Sequence, residues 1–169
     1  MRLELLPLDM EKELPRFKKD MQEAFLQGAV AEFGNVTQEV LPERDIDSSL
    51  GMPGAAAYKA VSDGETVGGA VVVIDEKTNR NHLDLLYVKP GFQSGGIGFA
   101  IWSEIEKFYP NTAVWETFTP YFEKRNIHFY INRCGFRAVE FFNPKHKDPR
   151  MSEDIVGGDY FFRFEKVMK

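Results

Sequence analysis

Cysteine is nearly missing from this 169-residue chain, which carries only Cys134. One thiol excludes an internal disulfide framework and a cysteine-based zinc site. Histidine is almost as scarce, and His82, His128 and His146 lie too far apart for a metal-ligand spacing. No apolar run is long enough to span a bilayer. The start, Met-Arg-Leu-Glu-Leu-Leu-Pro, lacks the apolar core of a signal peptide, so a cytoplasmic location is expected. Basic residues are not in excess either. The formal net charge of −5 leaves no electrostatic footprint for nucleic acid. The chain also has no Gly-Lys pair, which a P-loop requires.

What is present suits a single α/β domain over residues 1–169, with 43% hydrophobic and 28% charged residues. Arg2–Leu8 reads as a first strand. From Leu14, apolar residues at Phe17, Met21, Ala24, Phe25 and Gly28 follow helical steps, with Pro15 tolerable in the first turn. Asn35–Gly54 reads as loop with a short helix, and its acidic run Glu43, Asp45 and Asp47 is expected to attract a cation. Ala55–Val61 and Thr66–Ile74 flank Asp63-Gly64, a hairpin dipeptide, and Leu83–Val88 completes an antiparallel meander. The nearly continuous apolar run Val67–Ile74 predicts a central strand covered on both faces.

Next come Gln93-Ser94-Gly95-Gly96-Ile97-Gly98 and a helix with the stripe Ile97, Ile101, Ile105, Phe108. Ala113–Thr117 predicts a strand and Lys124–Arg133 a helix, with Gly135 as its C-terminal cap. Phe136–Phe142 and Tyr160–Val167 are the last strands, separated by the polar loop Asn143–Asp159. Loops of that length commonly carry function. Apolar side chains on both faces of the final strand (Tyr160, Phe161, Phe162, Phe164) suggest a homodimer contact. The three histidines read as surface residues.

Three glycines at a helix entry allow backbone N–H groups to approach an anion, helped by the helix dipole. The same glycines would serve a tight turn with close helix–sheet packing, and both readings stand on glycines alone. A dinucleotide fingerprint fails, because Ile101 occupies the place of its third glycine and the preceding strands form hairpins.

Gln93-x-x-Gly96-x-Gly98 at a strand end resembles the acyl-CoA signature of the GNAT superfamily of N-acetyltransferases. Val88-Lys89-Pro90, Cys134-Gly135-Phe136 and the order of predicted elements extend the resemblance over essentially the whole chain. It implies a GNAT (acyl-CoA N-acyltransferase) fold, a mixed and mostly antiparallel sheet flanked by helices. It also implies acetyl-CoA as acyl donor and a small-molecule or peptide amine as acceptor, with no nucleic-acid or membrane partner. Main-chain groups of Leu86, Tyr87 and Val88 would meet the pantetheine arm. Gln93, Ser94, Gly95, Gly96, Ile97 and Gly98 would cradle the pyrophosphate, and Asn126 would contact the cofactor or serve as a helix cap. A backbone N–H at a Leu86–Val88 bulge would hold the oxyanion.

Direct attack in a ternary complex then needs acid and base groups but no nucleophilic cysteine, so Cys134 is expected to be a packing residue. Tyr130 is the candidate acid, although it stands five residues before Gly135 where the family places four. Either a helix irregularity corrects the register, or Tyr130 is an aromatic core residue. Asp84 and Glu116 compete as base, each with a plain solvated-strand reading beside it. A non-catalytic acyl-CoA-binding module with the same fold is the alternative function.

Overall fold

The computed structural model describes residues 2–36, 39–93, 95–149 and 160–168. Seven strands form one sheet: β1 (Leu3–Pro7), β2 (Ala55–Ser62), β3 (Glu65–Val73), β4 (Arg80–Val88), β5 (Val114–Pro120), β6 (Arg137–Phe142) and β7 (Phe161–Val167). Their order across the sheet is β1-β2-β3-β4-β5-β7-β6, and β4–β5 is the one parallel pair. Four α-helices accompany them: α1 (Leu14–Phe33), α2 (Glu43–Leu50), α3 (Ile97–Phe108) and α4 (Lys124–His128). This is the GNAT fold. No helix among the described residues is long and apolar enough to cross a membrane.

The β2–β3 hairpin forms where Asp63-Gly64 is found, with φ of 51° and 79°. Two consecutive positive φ values match the right-handed twist of the strands. In β3, side chains alternate between two cores, as period 2 requires. Ala70 and Val72 pack with Ile101, Trp102 and Ile105 of α3, while Val71 packs with Phe17 and Met21 of α1 and Ile46 of α2. Gly69 is needed for the second of these layers. A Cβ there would stand 2.7 Å from the Phe17 ring and 2.9 Å from the Tyr87 ring.

Several expected boundaries shift. β4 begins at Arg80 rather than Leu83, which brings His82 into the ladder. The helix predicted over Lys124–Arg133 is an α-helix only through His128 and continues as a π-helical turn over Phe129–Arg133. In α3 the stripe residues Ile101 and Ile105 are fully buried, as is Trp102, which the stripe left out, whereas Phe108 keeps 43% of its surface exposed. The aromatic residues of β7 have an internal explanation: β7 lies between β5 and β6, and Phe161 and Phe164 are buried in the chain's own sheet. The acidic run lies on α2, with Glu43 and Asp45 in its first turn, and Lys18 pairs with Glu43 at 3.1 Å and Asp47 at 2.5 Å. Residues 150–159 of the expected long loop lie outside the described residues.

Trp102 meets Trp115 edge-on at 5.2 Å and Phe136 at 5.1 Å, with no solvent exposure. Replacing it by alanine removes a full aromatic from a site that two other rings hold open. Trp102→Ala is expected to cost about 3–5 kcal/mol in a denaturant titration. A loss below about 1 kcal/mol would mean that this cluster does not organise the core.

Candidate active site

Only three residue pairs join β4 to β5: Arg80 with Val114, Asn81 with Trp115, and His82 with Glu116. Beyond them the strands part. β4 stays on β3 as far as Val88, and β5 stays on β7 as far as Pro120. The facing edges of Leu86, Tyr87 and Val88 and of Phe118–Pro120 therefore have no ladder partner across the gap. At the closed end of this fork the Thr117 hydroxyl donates to the Leu83 carbonyl at 2.8 Å.

A bulge bends β4 next to that closure, but not at Leu86–Val88 as expected. Val71 pairs with Leu85 and Val72 with Leu83, so Asp84 is the extra residue. An inserted residue sharpens the local twist, and here it does so where β4 leaves β5.

The open end of β4 leads through a turn into α3. Gly96 is the N-cap of α3 with φ 77°, a left-handed conformation that L side chains rarely adopt. Its carbonyl accepts the first helical bond, from Ala100 N at 3.1 Å. The N–H groups of Ile97, Gly98 and Phe99 therefore lack acceptors within the helix. Gly95 and Gly96 are exposed, and a Cβ on Gly96 would meet no atom within 4 Å. Gln93 is exposed too, its Nε2 3.5 Å from the Val88 carbonyl. Ile97 itself is a core residue, and a Cβ on Gly98 would lie 3.4 Å from the Phe129 ring. Ser94 lies outside the described residues. Asn126 is exposed in the first turn of α4, whose N-cap is Glu123, so the capping alternative does not account for it.

Side chains around the fork divide between the two faces of the sheet. Leu86 and Val88 pack toward α3, and Tyr87 is buried edge-on against Phe17 of α1 at 5.6 Å. On the α3 side, Tyr130 is buried among Phe129, Phe136 and Phe164. Burial pushes its hydroxyl well above the ordinary value, Cys134 adds to the rise, and a hydrogen bond with Thr117 opposes it. Tyr130 is thus at once a core aromatic and a hydroxyl beside the fork. The π-turn supplies the irregularity that its spacing from Gly135 called for. Cys134 is buried, and its thiol is pushed up to about 12, chiefly by that burial.

On the opposite face, Asp84 and Glu116 are brought together through a residue first read as a surface position. His82 is half-buried between them, Nδ1 2.7 Å from Asp84 Oδ1 and Nε2 3.5 Å from Glu116 Oε1. The Nδ1 contact lacks hydrogen-bond alignment. Asp84 also accepts a hydrogen bond from Ser49 of α2 at 2.5 Å. Burial alone would raise its pKa, but His82 and Ser49 together hold it below the ordinary carboxylate value. Glu116 accepts from Arg163 Nη1 at 2.9 Å, and Arg163 also holds Glu140 at 3.0 Å and Glu165 at 2.7 Å. Glu140 in turn meets His146 at 2.6 Å. Sequence reasoning missed His82, Arg163 and Glu123. His82-x-Asp84 was visible as an alternation of polar residues around the apolar Leu83 and Leu85. Arg163 had no local signal, because its partners lie on other strands.

Glu123, the N-cap of α4, reaches α1, where a Cβ on Gly28 would displace its carboxylate. Burial raises the pKa of Glu123, with Arg125 opposing and Glu32 adding to the rise. Phe33 of α1 packs on Phe122 at 4.9 Å beside it.

Residues 18–136 match the family model described as the acetyltransferase (GNAT) family. The chain belongs to the GNAT acetyltransferase family. It is 47% identical to the uncharacterized protein YrkN of Bacillus subtilis over 173 residues, covering 98% of this chain and 94% of that one. Its fold is similar to a PaiA N-acetyltransferase from Thermoplasma acidophilum in complex with coenzyme A, with a TM-score of 0.69. Identity there is 17%, over 99% of this chain and 100% of that one. A GNAT acetyltransferase from Elizabethkingia anophelis with acetyl-CoA bound gives 0.68 at 14% identity, covering 98% of each chain. The ribosomal-protein-S18-alanine N-acetyltransferase of Escherichia coli gives 0.67 at 12%, covering 98% and 94%.

Arg163 keeps three carboxylates paired on the open face. The hydrogen bonds from His146 and Arg163 hold the Glu140 pKa below its ordinary value. A depressed folded-state pKa stabilises the fold above the unfolded value and loses that contribution as pH falls through the folded one. Arg163→Met is therefore expected to destabilise the chain at pH 7 and to do so much less near pH 3. Urea titrations at both pH values read the difference, and a penalty independent of pH would point to packing alone.

Proposed function

We propose that the chain transfers the acetyl group of acetyl-CoA to a primary amine of a small molecule or peptide, by direct attack in a ternary complex. The observation that carries this reading is the fork itself, an unpaired β4 edge that runs into the glycine-opened N-terminus of α3. The residues suit the acyl donor: the N–H groups of Ile97 and Gly98 have no acceptor within α3, and the Cβ position of Gly96 beside them is open, as a pyrophosphate requires. Leu86, Tyr87 and Val88 offer main-chain groups for strand addition by an amide-bearing arm. Gln93 stands at the open end of β4, its Nε2 3.5 Å from the Val88 carbonyl. Acetyl-CoA supplies an activated thioester carbonyl.

The chain's own groups would do the rest. A main-chain N–H of β4 would take the carbonyl oxygen as charge develops on it, a donor that needs no reorganisation. Tyr130 carries a proton at neutral pH and would give it to the departing sulfur. The protonated Cys134 thiol supports transfer without an enzyme-bound acyl group, because the thiolate is the nucleophilic form.

Calorimetric titration with acetyl-CoA tests the reading directly. Micromolar or tighter binding is expected, and its absence at high micromolar cofactor would sink the proposal. Gly96→Glu is expected to abolish binding by placing bulk and negative charge in the cradle. Tyr130→Phe should retain binding while thiol release across an amine panel falls about 100-fold. Binding without any turnover in the unmodified chain would instead favour an acyl-CoA-binding module.

A further inference from the structure

We infer that a cavity at the open end of β5 receives the ring of an aromatic primary amine, and that Glu123 beside it holds the amino group. This rests on the acetyl-transfer reading of the same fork and names the class of its acceptor. The cavity measures about 260 Å³. Its walls are Glu32 and Phe33 of α1, Tyr121 and Phe122 after β5, Lys124 of α4, and Tyr160 before β7. Tyr121 directly follows Pro120, where the β5 edge without a partner on β4 ends. Its N–H donates to the Tyr160 carbonyl at 2.8 Å, so the cavity is built on a continuation of the β5–β7 ladder.

Four of the six walls are aromatic, and three of those side chains remain half in water: Phe33 at 49%, Tyr121 at 48% and Tyr160 at 48%. Aromatic side chains stabilise a fold by being buried, so several left open around one hollow mark a place for an apolar ligand. Their neighbours keep the walls in position. Phe33 packs on Phe122 at 4.9 Å, and Tyr121 and Tyr160 both rest on Phe141, at 6.2 Å and 6.3 Å. An apolar cavity of about 150 Å³ suffices for benzene. This one therefore has room for a ring and a short chain.

The charges around the cavity orient that ligand. Lys124 Nζ stands over the Tyr121 ring, 5.7 Å from its centroid, and repels an ammonium from that wall. Glu32 lines the cavity, and Glu123 follows Phe122 and lies against Gly28 of α1. Burial raises the Glu123 pKa, Arg125 opposes the rise, and the negative charge of Glu32 adds to it. A cation beside the two carboxylates relieves their repulsion. Glu123 also contributes to the raised pKa of Tyr130, so it stands within electrostatic reach of that hydroxyl. An amino group held at Glu123 is thus near both the cavity and the proposed acid. A diamine fits less well, because a second ammonium in the cavity would meet Lys124.

The test uses the full chain with acetyl-CoA and follows thiol release with 2-phenylethylamine, with ethylamine as the same amine lacking the ring, and with 1,4-diaminobutane. 2-Phenylethylamine is expected to give a kcat/KM at least about 10-fold above either of the others. Phe33→Ala and Tyr160→Ala remove half-exposed rings. Each should lower the ratio of 2-phenylethylamine to ethylamine kcat/KM about 10-fold while acetyl-CoA affinity stays within about threefold. Glu123→Gln should raise KM for both monoamines and leave that ratio in place, because it acts on the ammonium. Equal kcat/KM for 2-phenylethylamine and ethylamine in the unmodified chain would overturn the assignment and leave acetyl transfer standing. Loss of acetyl-CoA affinity in the ring variants would give the cavity to the cofactor, and a dimer that Phe33→Ala dissolves would give it to a second copy. Either result overturns the proposal. Calorimetric titration of 2-phenylethylamine alone separates the two readings: binding that Phe33→Ala abolishes, in a chain that does not bind acetyl-CoA, would support the cavity and remove acetyl transfer.

Discussion

The parting of β4 from β5 after three parallel pairs is the constraint on which the rest of this molecule depends. Each strand has a complete antiparallel partner on its outer side, β3 for β4 and β7 for β5, so neither loses its place when the inner contact ends. The sheet therefore behaves as two antiparallel halves joined at Arg80–His82 and Val114–Glu116. An unpaired backbone edge inside a domain is costly unless something satisfies it. The bulge at Asp84 and the Thr117–Leu83 bond mark where the unpaired edge begins.

What fills the fork differs on its two faces, and that asymmetry gives the site its chemistry. Toward α3 the filling is aromatic: Tyr130 stands among Phe129, Phe136 and Phe164, and its hydroxyl is the polar group brought to the fork. Toward α2 the filling is ionic. Ser49, Asp84, His82, Glu116, Arg163, Glu140 and His146 follow one another across α2, β4, β5, β7, β6 and the turn after β6. Because Arg163 does not release its proton, this chain is not a proton wire. It ties α2 to the far edge of the sheet through alternating acidic and basic side chains.

Much of this was legible in the chain. The Asp63-Gly64 hairpin, the central apolar strand and the glycine-opened helix each rest on local rules, and each formed as read. Gln93, Gly96 and Gly98 made the phosphate-binding reading specific once the P-loop and dinucleotide patterns had failed. Other features escaped because their causes are not local. The early start of β4 depends on Val114–Glu116 lying alongside. The π-turn accommodates Tyr130 and Cys134 to a core built by Trp102, Phe136 and Phe164. β7 is an interior strand, a placement that composition alone does not fix.

The sequence by itself determined the element types and the glycine entry to α3, because turn chemistry, side-chain periodicity and bare glycine backbone act over a few residues. Only the tertiary structure decided where the bulge lies, which face Tyr130 serves, and that His82 stands between Asp84 and Glu116. Those are matters of strand register and of which strands become neighbours. His82 and Glu116 are 34 positions apart, and nothing in either neighbourhood says that a parallel ladder will set them side by side.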